Sequence, residues 1–421
     1  MASSRLLGNG RRIYFIGDRE SLVSRMGSST AALNFPLLFS PSVLSVTPGQ
    51  GPTVGGTVVD VAGSNFQPGA TVTFGGLAAT GIVVVSQEHI TCTTPAHAVG
   101  AVTVTVTNPS AQVGSLPNGF EYIPILTALG TNIAAYSFDN GATWTLGSIP
   151  AGTWISAVWA LDRFVAITAS GQSAFSLDGQ TWSAGGALPQ ASGYQTVGAN
   201  PTTGTVAAIR NSTTGLLVRS TDGAATWTNE FSPGAGAAGL NNVGWDIPSG
   251  NWIAIANANV RRSLDDAATW GAQIPVTSIG VGALRHTLLS IPARTIQIGT
   301  FAGANQIFST QDGGAVWARV AFPAVTGGYG FAFSGTLFVA RQISGTLTFT
   351  SVDGLAWVAA AAYPTASGAN NLCFAGTHFL SFDGRNVRRT QDGSSWESLL
   401  NALPAGTWNY LAPQNEPGVS A

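Results

Sequence analysis

The sequence predicts an all-β protein: an immunoglobulin-like β-sandwich followed by a seven-bladed β-propeller with terminal-strand closure. Three observations predict it. Alternation with period two runs between turn residues through positions 41–123. An Asp, Trp, Pro pattern recurs seven times from residue 124 onward. A Pro-Ala-Gly-Thr-Trp segment occurs at Pro150 and again at Pro404, near the two ends of the repeats. The chain divides accordingly into an arm (1–40), a sandwich (41–123) and a repeat region (124–421).

The arm has no sustained periodicity apart from a short strand expected at residues 12–16. Arg5, Arg11, Arg12, Arg19 and Arg25 outnumber Asp18 and Glu20, and no further Arg occurs before Arg163. Gly8, Gly10 and Gly27 break the segment, so it cannot build a core of its own. It is expected to anchor the protein to a partner subunit. Arg11, Arg12 and Arg19 would pair with acidic groups there, while Phe35, Leu37 and Leu38 would bury their apolar side chains. Arg11 and Arg12 interrupt the apolar run after Leu6 and Leu7, which argues against a secretory signal. No stretch approaches the roughly 18 apolar residues of a membrane helix, so no membrane partner is expected.

In the sandwich region Val102, Val104 and Val106 alternate with Thr103, Thr105 and Thr107, as one half-buried strand requires. Residues 71–74 and 82–86 read as further strands, and Gly, Pro and Asn clusters separate them at turn spacing. About seven strands in about 80 residues indicate a sandwich. Cys92 alternates with Ile90 and should point inward as a small apolar residue. With one cysteine here and Cys373 in the repeats, no disulfide framework is available.

This region resembles the IPT/TIG family of immunoglobulin-like domains. The residues that carry the resemblance are Ser45-Val46-Thr47-Pro48, Gly55-Gly56-Thr57-Val58-Val59, Gly63-Ser64-Asn65-Phe66 and Val72-Thr73-Phe74-Gly75-Gly76. Ile90-Thr91-Cys92-Thr93-Thr94-Pro95 and Asn118-Gly119-Phe120-Glu121-Tyr122 complete it. The resemblance implies a spacer or adhesion module without a shared catalytic site.

In the repeats, Trp144, Trp182, Trp227, Trp270, Trp317, Trp357 and Trp396 follow Asp139, Asp178, Asp222, Asp265, Asp312, Asp353 and Asp392 by four or five positions. The Trp-to-Trp spacing is 38, 45, 43, 47, 40 and 39 residues, enough for one four-stranded blade each. A proline follows each Trp: Pro150, Pro189, Pro233, Pro275, Pro323, Pro364 and Pro404. An Asp carboxylate can accept N–H bonds inside a tight hairpin, Trp fills the space between blades, and Pro ends the strand. The first repeat has room for only two strands before Asp139. The tail around residues 408–412, echoing Trp154 and its preceding turn, is expected to supply its innermost strand and leave no open edge.

These segments resemble the Asp-box, or BNR, repeat of sialidases and of several non-catalytic propellers. Sialidases add an Arg triad, a Phe/Tyr-Arg-Ile-Pro motif, a Tyr nucleophile with a Glu partner, and an Asp acid/base. No Arg-Ile-Pro occurs here. With one Asp assigned to each box, Asp162, Asp246, Asp266, Asp383, Glu230, Glu397 and Glu416 remain. Asp162 and Asp246 fall in blade turns and Asp266 within a box. A two-carboxylate glycosidase would have to use Glu230, Asp383 or Glu397, at unrelated blade positions. His89, His97, His286 and His378 lack metal-ligand spacing, and the glycines belong to turns instead of a phosphate loop. No enzyme, metal or cofactor is expected.

Charged residues are only 9% of the chain and all 17 basic residues are Arg. Neither folded region carries the basic face a nucleic-acid reader needs. Trp154, Tyr194, Tyr329 and Trp408 enter the innermost strands on the face opposite the Asp turns. They are the candidate ligand-binding residues, with stacking on sugars or a protein interface as the function and simple filling between blades as the structural alternative. The expected role is a virion structural protein, in a tail, fibre or capsid decoration, assembled in the host cytoplasm in multiple copies with other virion proteins. It would face a host cell-surface glycan or protein. The alternatives are a non-phage adhesin or carbohydrate-binding protein at the cell surface, a glycoside hydrolase of sialidase-like fold, and an assembly scaffold.

Overall fold

The computed structural model describes residues 3–6, 12–15, 40–211, 216–231, 240–256, 259–275, 288–301, 304–323, 329–343, 345–364 and 372–414. All regular structure among them is β-strand. The chain forms two units, Met1–Tyr122 and Ile123–Ala421.

In the first unit, Arg12–Phe15 pairs antiparallel with Ser3–Leu6, so the short strand expected near residue 12 has a partner that sequence periodicity did not show. The sandwich has nine strands among the described residues, more than the seven expected. One sheet has the order Gln50–Pro52, Val113–Ile123, Gly100–Thr107, Thr71–Phe74, Leu77–Ala78. The other runs Ser42–Thr47, Val58–Ser64, His89–Thr93, Thr80–Ser86. The extra strands are two or three residues long, too short for alternation to reveal. Between the sheets lie Val59, Val61, Val72, Phe74, Ile90, Cys92, Val104, Val106 and Phe120. Burial pushes the Cys92 thiol up to about 11, in keeping with a core residue. The Tyr122 hydroxyl donates to the carbonyl of Pro95 at 2.8 Å, and His97 stacks on its ring.

The second unit contains seven four-stranded antiparallel sheets among the described residues. Six are sequential. Sheet two, for example, runs Trp154–Ala160, Arg163–Thr168, Ser173–Ser176, Ser183–Ala184. Sheet one takes Trp408–Pro413 from the far end of the unit and pairs it with Leu126–Gly130, followed by Ala134–Ser137 and Thr145–Gly147. The first strands of the seven sheets neighbour one another in a closed ring, so the unit is a β-propeller. Two further bonds lock the closure: Gln414 N–H donates to Ile125 O at 2.7 Å, and Ile125 N–H donates to Gln414 Oε1 at 3.2 Å.

Both faces of each sheet pack on neighbours, which is why innermost and second strands are buried residue after residue with little alternation. Tryptophans from the repeats fill these seams. Trp182 sits with Ile125, Trp159 and Phe164, and Trp227 with Val158, Val197 and Val218. The indole N–H of Trp144, Trp182, Trp317 and Trp357 donates to the carbonyl of Gly141, Gly179, Gly314 and Gly354 in its own turn.

Candidate functional site

Sequence reasoning placed four aromatic residues at a channel mouth; the structure places them inside the seams. Trp154, Tyr194, Tyr329 and Trp408 are all buried and belong to four different core clusters, so they are not brought together. Each stands at the first position of an innermost strand. Because the adjacent sheets cover both faces of that strand, the ring enters a seam instead of facing the channel. Trp154 Nε1–H donates to Pro150 O at 3.1 Å, and Trp408 Nε1–H donates to Pro404 O at 3.0 Å. The repeated Pro-Ala-Gly-Thr-Trp segment is therefore a turn closed by its own indole. Tyr194 Oη accepts from Gln190 N–H at 3.4 Å. Tyr329 lies against Phe322, with ring centroids 5.1 Å apart.

The turn carboxylates share one geometry. In all seven repeats a Ser or Thr hydroxyl two residues earlier donates to the Asp, as from Ser137 to Asp139 at 2.7 Å and from Thr390 to Asp392 at 2.8 Å. The same carboxylate accepts backbone N–H groups two to four residues later, such as Ser394 and Ser395 for Asp392. The N–H groups of Ser395 and Ser394 hold Asp392 well below the usual carboxylate range. Those of Ala356 and Leu355 lower Asp353 in the same way. Each Asp thus replaces backbone acceptors that the turn cannot supply.

The remaining carboxylates whose side chains are described are engaged as well. Asp266, at φ +57°, accepts from Asn200, Thr203 and Trp252 and ties the fourth sheet to the third. Asp246 is fully buried and accepts from Ser249 and Thr295. Asp162 pairs with Arg163 at 2.9 Å. Glu397 lies on an outermost strand and meets Arg389 at 2.6 Å, while that guanidinium also donates to the carbonyl of Asn140 across the closure seam. Glu230 is on the outermost strand Thr228–Phe231.

Sequence reasoning missed one charged group, in the seam between the sixth and seventh sheets. Arg341 and Arg388 are almost fully buried there with Tyr363 and Ser381. The Arg341 guanidinium lies 3.7 Å over the Tyr363 ring, and Arg388 meets Asp383 at 3.4 Å. Ser381 is the direct cross-strand partner of Arg388. Burial lowers the Arg341 pKa from its ordinary value, against the opposing pull of Tyr363 and Asp383. The only sequence signal was an Arg inside each of two strands otherwise suited to a core.

Of the arm residues proposed for docking, Arg12 lies on the strand Arg12–Phe15. Arg11, Arg19, Phe35, Leu37 and Leu38 lie outside the described residues. His89 bonds Asp60 at 2.9 Å, His97 the carbonyl of Ala98, and His378 the hydroxyl of Thr377; His286 is outside the described residues. Among the described residues no three His, Cys, Asp or Glu side chains gather as metal ligands. Among the described residues no helix is long and apolar enough to cross a membrane.

No curated protein matches the chain by sequence. Solved structures match it in fold. A Lactobacillus plantarum protein is 12% identical, with TM-score 0.55, covering 70% of this chain and 100% of its own. A putative 6-phosphogluconolactonase from Bacteroides uniformis is 12% identical, with TM-score 0.52, covering 69% and 99%. An auxiliary nutrient binding protein from Bacteroides ovatus is also 12% identical, with TM-score 0.42, covering 90% and 99%. The model of the IPT/TIG domain matches residues 41–122, over the two sheets described above. Residues 41–122 are an IPT/TIG domain, and the chain continues as a β-propeller.

Proposed function

We propose that the protein is a non-enzymatic virion structural protein, a tail, fibre or capsid-decoration component, that displays its propeller to a host-surface glycan or protein. The observation that carries the non-enzymatic part is the use of the propeller carboxylates. Each one whose side chain is described is spent on a turn, a seam or an adjacent Arg. Asp383 and Glu397 stand on the second and outermost strands of one sheet, with Asn386–Thr390 between them, and each is bound to its own Arg. Two carboxylates flanking one glycosidic bond need a shared substrate space, and the separate Arg partners of Asp383 and Glu397 support the non-enzymatic reading. On this reading the seven turns are Asp boxes in a structural role, which the Ser or Thr hydroxyl bonded to each Asp supports.

The virion part rests on composition and chain order. An Arg-bearing arm precedes an immunoglobulin-like module and a propeller whose sheets leave no edge unpaired at the closure. The partners on this reading are other virion proteins, met through the arm in multiple copies. A non-phage adhesin or carbohydrate-binding protein is the alternative, because the same modules serve display on a cell. Co-sedimentation decides between them: the protein is expected to band with intact phage particles in a density gradient. Recovery only with host-cell envelopes would sink the virion reading. Hydrolysis of sialosides or bacterial glycans that disappears on substituting Glu230, Asp383 or Glu397 would sink the non-enzymatic one.

A further inference from the structure

The outermost strand of each propeller sheet has a free side, and six of the seven sheets blunt it among the described residues. In the first sheet, Ser148 follows Thr145–Gly147 and pairs onward: its N–H donates to Gln180 O at 2.8 Å, and its carbonyl accepts from Trp182 N–H at 2.9 Å. In the second, Gly186 follows Ser183–Ala184 and donates its N–H to Ala224 O at 2.8 Å. The outermost strands of the third, fifth and seventh carry Glu230, Arg319 and Glu397. That of the fourth, Ile274–Pro275, ends in a proline.

The sixth sheet has none of these devices. It runs Tyr329–Phe333, Phe338–Gln342, Thr348–Ser351, Val358–Ala359. Past Ala359 the chain stays beside the same neighbour: Ala360 N–H donates to Thr348 O at 2.9 Å, and Tyr363 N–H to Thr346 O at 2.7 Å. From Trp357 to Tyr363 the segment reads Trp-Val-Ala-Ala-Ala-Ala-Tyr, with no charge and no proline. Val358, Ala359, Ala361 and Ala362 are exposed, Val358 to 67%, and Val352 at the adjoining turn to 78%. Ala360 bonds inward and backbone groups alternate along a strand, so those of Ala359 and Ala361 point away from the sheet. An apolar strand with outward N–H and C=O groups is a template for one more strand.

The chemistry of this edge selects its occupant. A charged strand would set its charge against Val and Ala, with no counter-ion in the segment. The same edge on a second copy is neutral. With Ala360 opposite Ala360 in antiparallel register, Ala359 of each copy faces Ala361 of the other, and the outward groups of both are satisfied. The other propeller edges are blunted, so this pairing closes on two copies instead of growing into a chain. We propose that the sixth-sheet edges of two copies pair antiparallel about Ala360 to form a two-fold dimer, independently of the virion and adhesin readings.

The test follows the mass of the full chain by sedimentation equilibrium across a dilution series. The wild type is expected to double its mass as concentration rises. Ala359→Lys combined with Ala361→Lys sets lysine against lysine at both bonded pairs and should stay monomeric with an unchanged melting temperature. Ala359→Lys combined with Ala361→Glu sets each lysine against a glutamate of the other copy and should dimerise again. Ala360→Cys places two thiols at a Cα separation of about 4.5 Å, within disulfide reach, and should cross-link on mild oxidation. Leu146→Cys, exposed on the first sheet's outer strand, should not, and the native Cys92 and Cys373 are buried. A wild type that stays monomeric at every concentration would overturn the proposal, as would a dimer that survives the double lysine variant. Failure of the lysine–glutamate variant to dimerise would overturn the register. If the double lysine variant does not fold, the cysteine pair decides: equal cross-linking at positions 146 and 360, or none at 360, counts against the dimer.

Discussion

The carboxylate of Asp392 takes the N–H groups of Ser394 and Ser395 and the hydroxyls of Thr390 and Ser395, so one side chain organises a whole turn. Its folded pKa lies below the ordinary 3.8. A group depressed in this way contributes stability above its unfolded pKa and loses it as pH falls through the folded value. The propeller is therefore expected to lose stability as pH drops below about 4, through Asp392 and Asp353 among others. Asp392→Ala should remove that turn's share of the acid sensitivity and cost about 1–3 kcal/mol at neutral pH, measured by urea unfolding. Acid unfolding identical to wild type would show that the turn is held without its carboxylate. Trp154 makes a second residue-level case. As a seam residue with its indole N–H satisfied, it should cost about 3–5 kcal/mol on truncation to Ala. A channel-mouth residue would instead unfold normally and lose only ligand binding.

At the scale of elements, the strand Trp408–Pro413 has the largest leverage, because it supplies the innermost quarter of sheet one. Deleting residues 405–421 is expected to abolish the cooperative unfolding transition of the propeller in calorimetry, since Leu126–Gly130 would face the channel as an unpaired edge. An unchanged transition would mean the remaining sheets hold the ring without closure. This pairing was legible in the sequence because Pro404 to Trp408 repeats Pro150 to Trp154 residue for residue. The turn carboxylates were equally legible, through the recurrence of a Trp four or five positions after each Asp. The orientation of Trp154, Tyr194, Tyr329 and Trp408 was not. Alternation separates a buried face from a wet one, and in these strands both faces are buried, so the pattern carries no sign. Arg341 and Arg388 were hidden for a related reason: an Arg in a strand reads as a solvent-facing residue until the neighbouring sheet is seen to cover it.

For the whole molecule, the arm and the two units separate along the chain, and the division predicts what truncation does. Removing residues 1–40 is expected to leave the thermal transitions of the IPT/TIG domain and of the propeller in place and, on the proposed virion reading, to prevent incorporation into a particle. Incorporation of the truncated protein at wild-type levels would place attachment on one of the two folded units. The closure also governs how this protein can be made. Ile125 bonds Gln414 across 289 positions of sequence, so a nascent chain displays an unfinished first sheet for nearly the whole synthesis of the propeller. The IPT/TIG domain can fold as it leaves the ribosome, but the ring must wait until Trp408–Pro413 emerges. Throughout that interval Leu126–Gly130 is an apolar strand with one free side, and a chaperone that binds the emerging chain has its longest-lived target there.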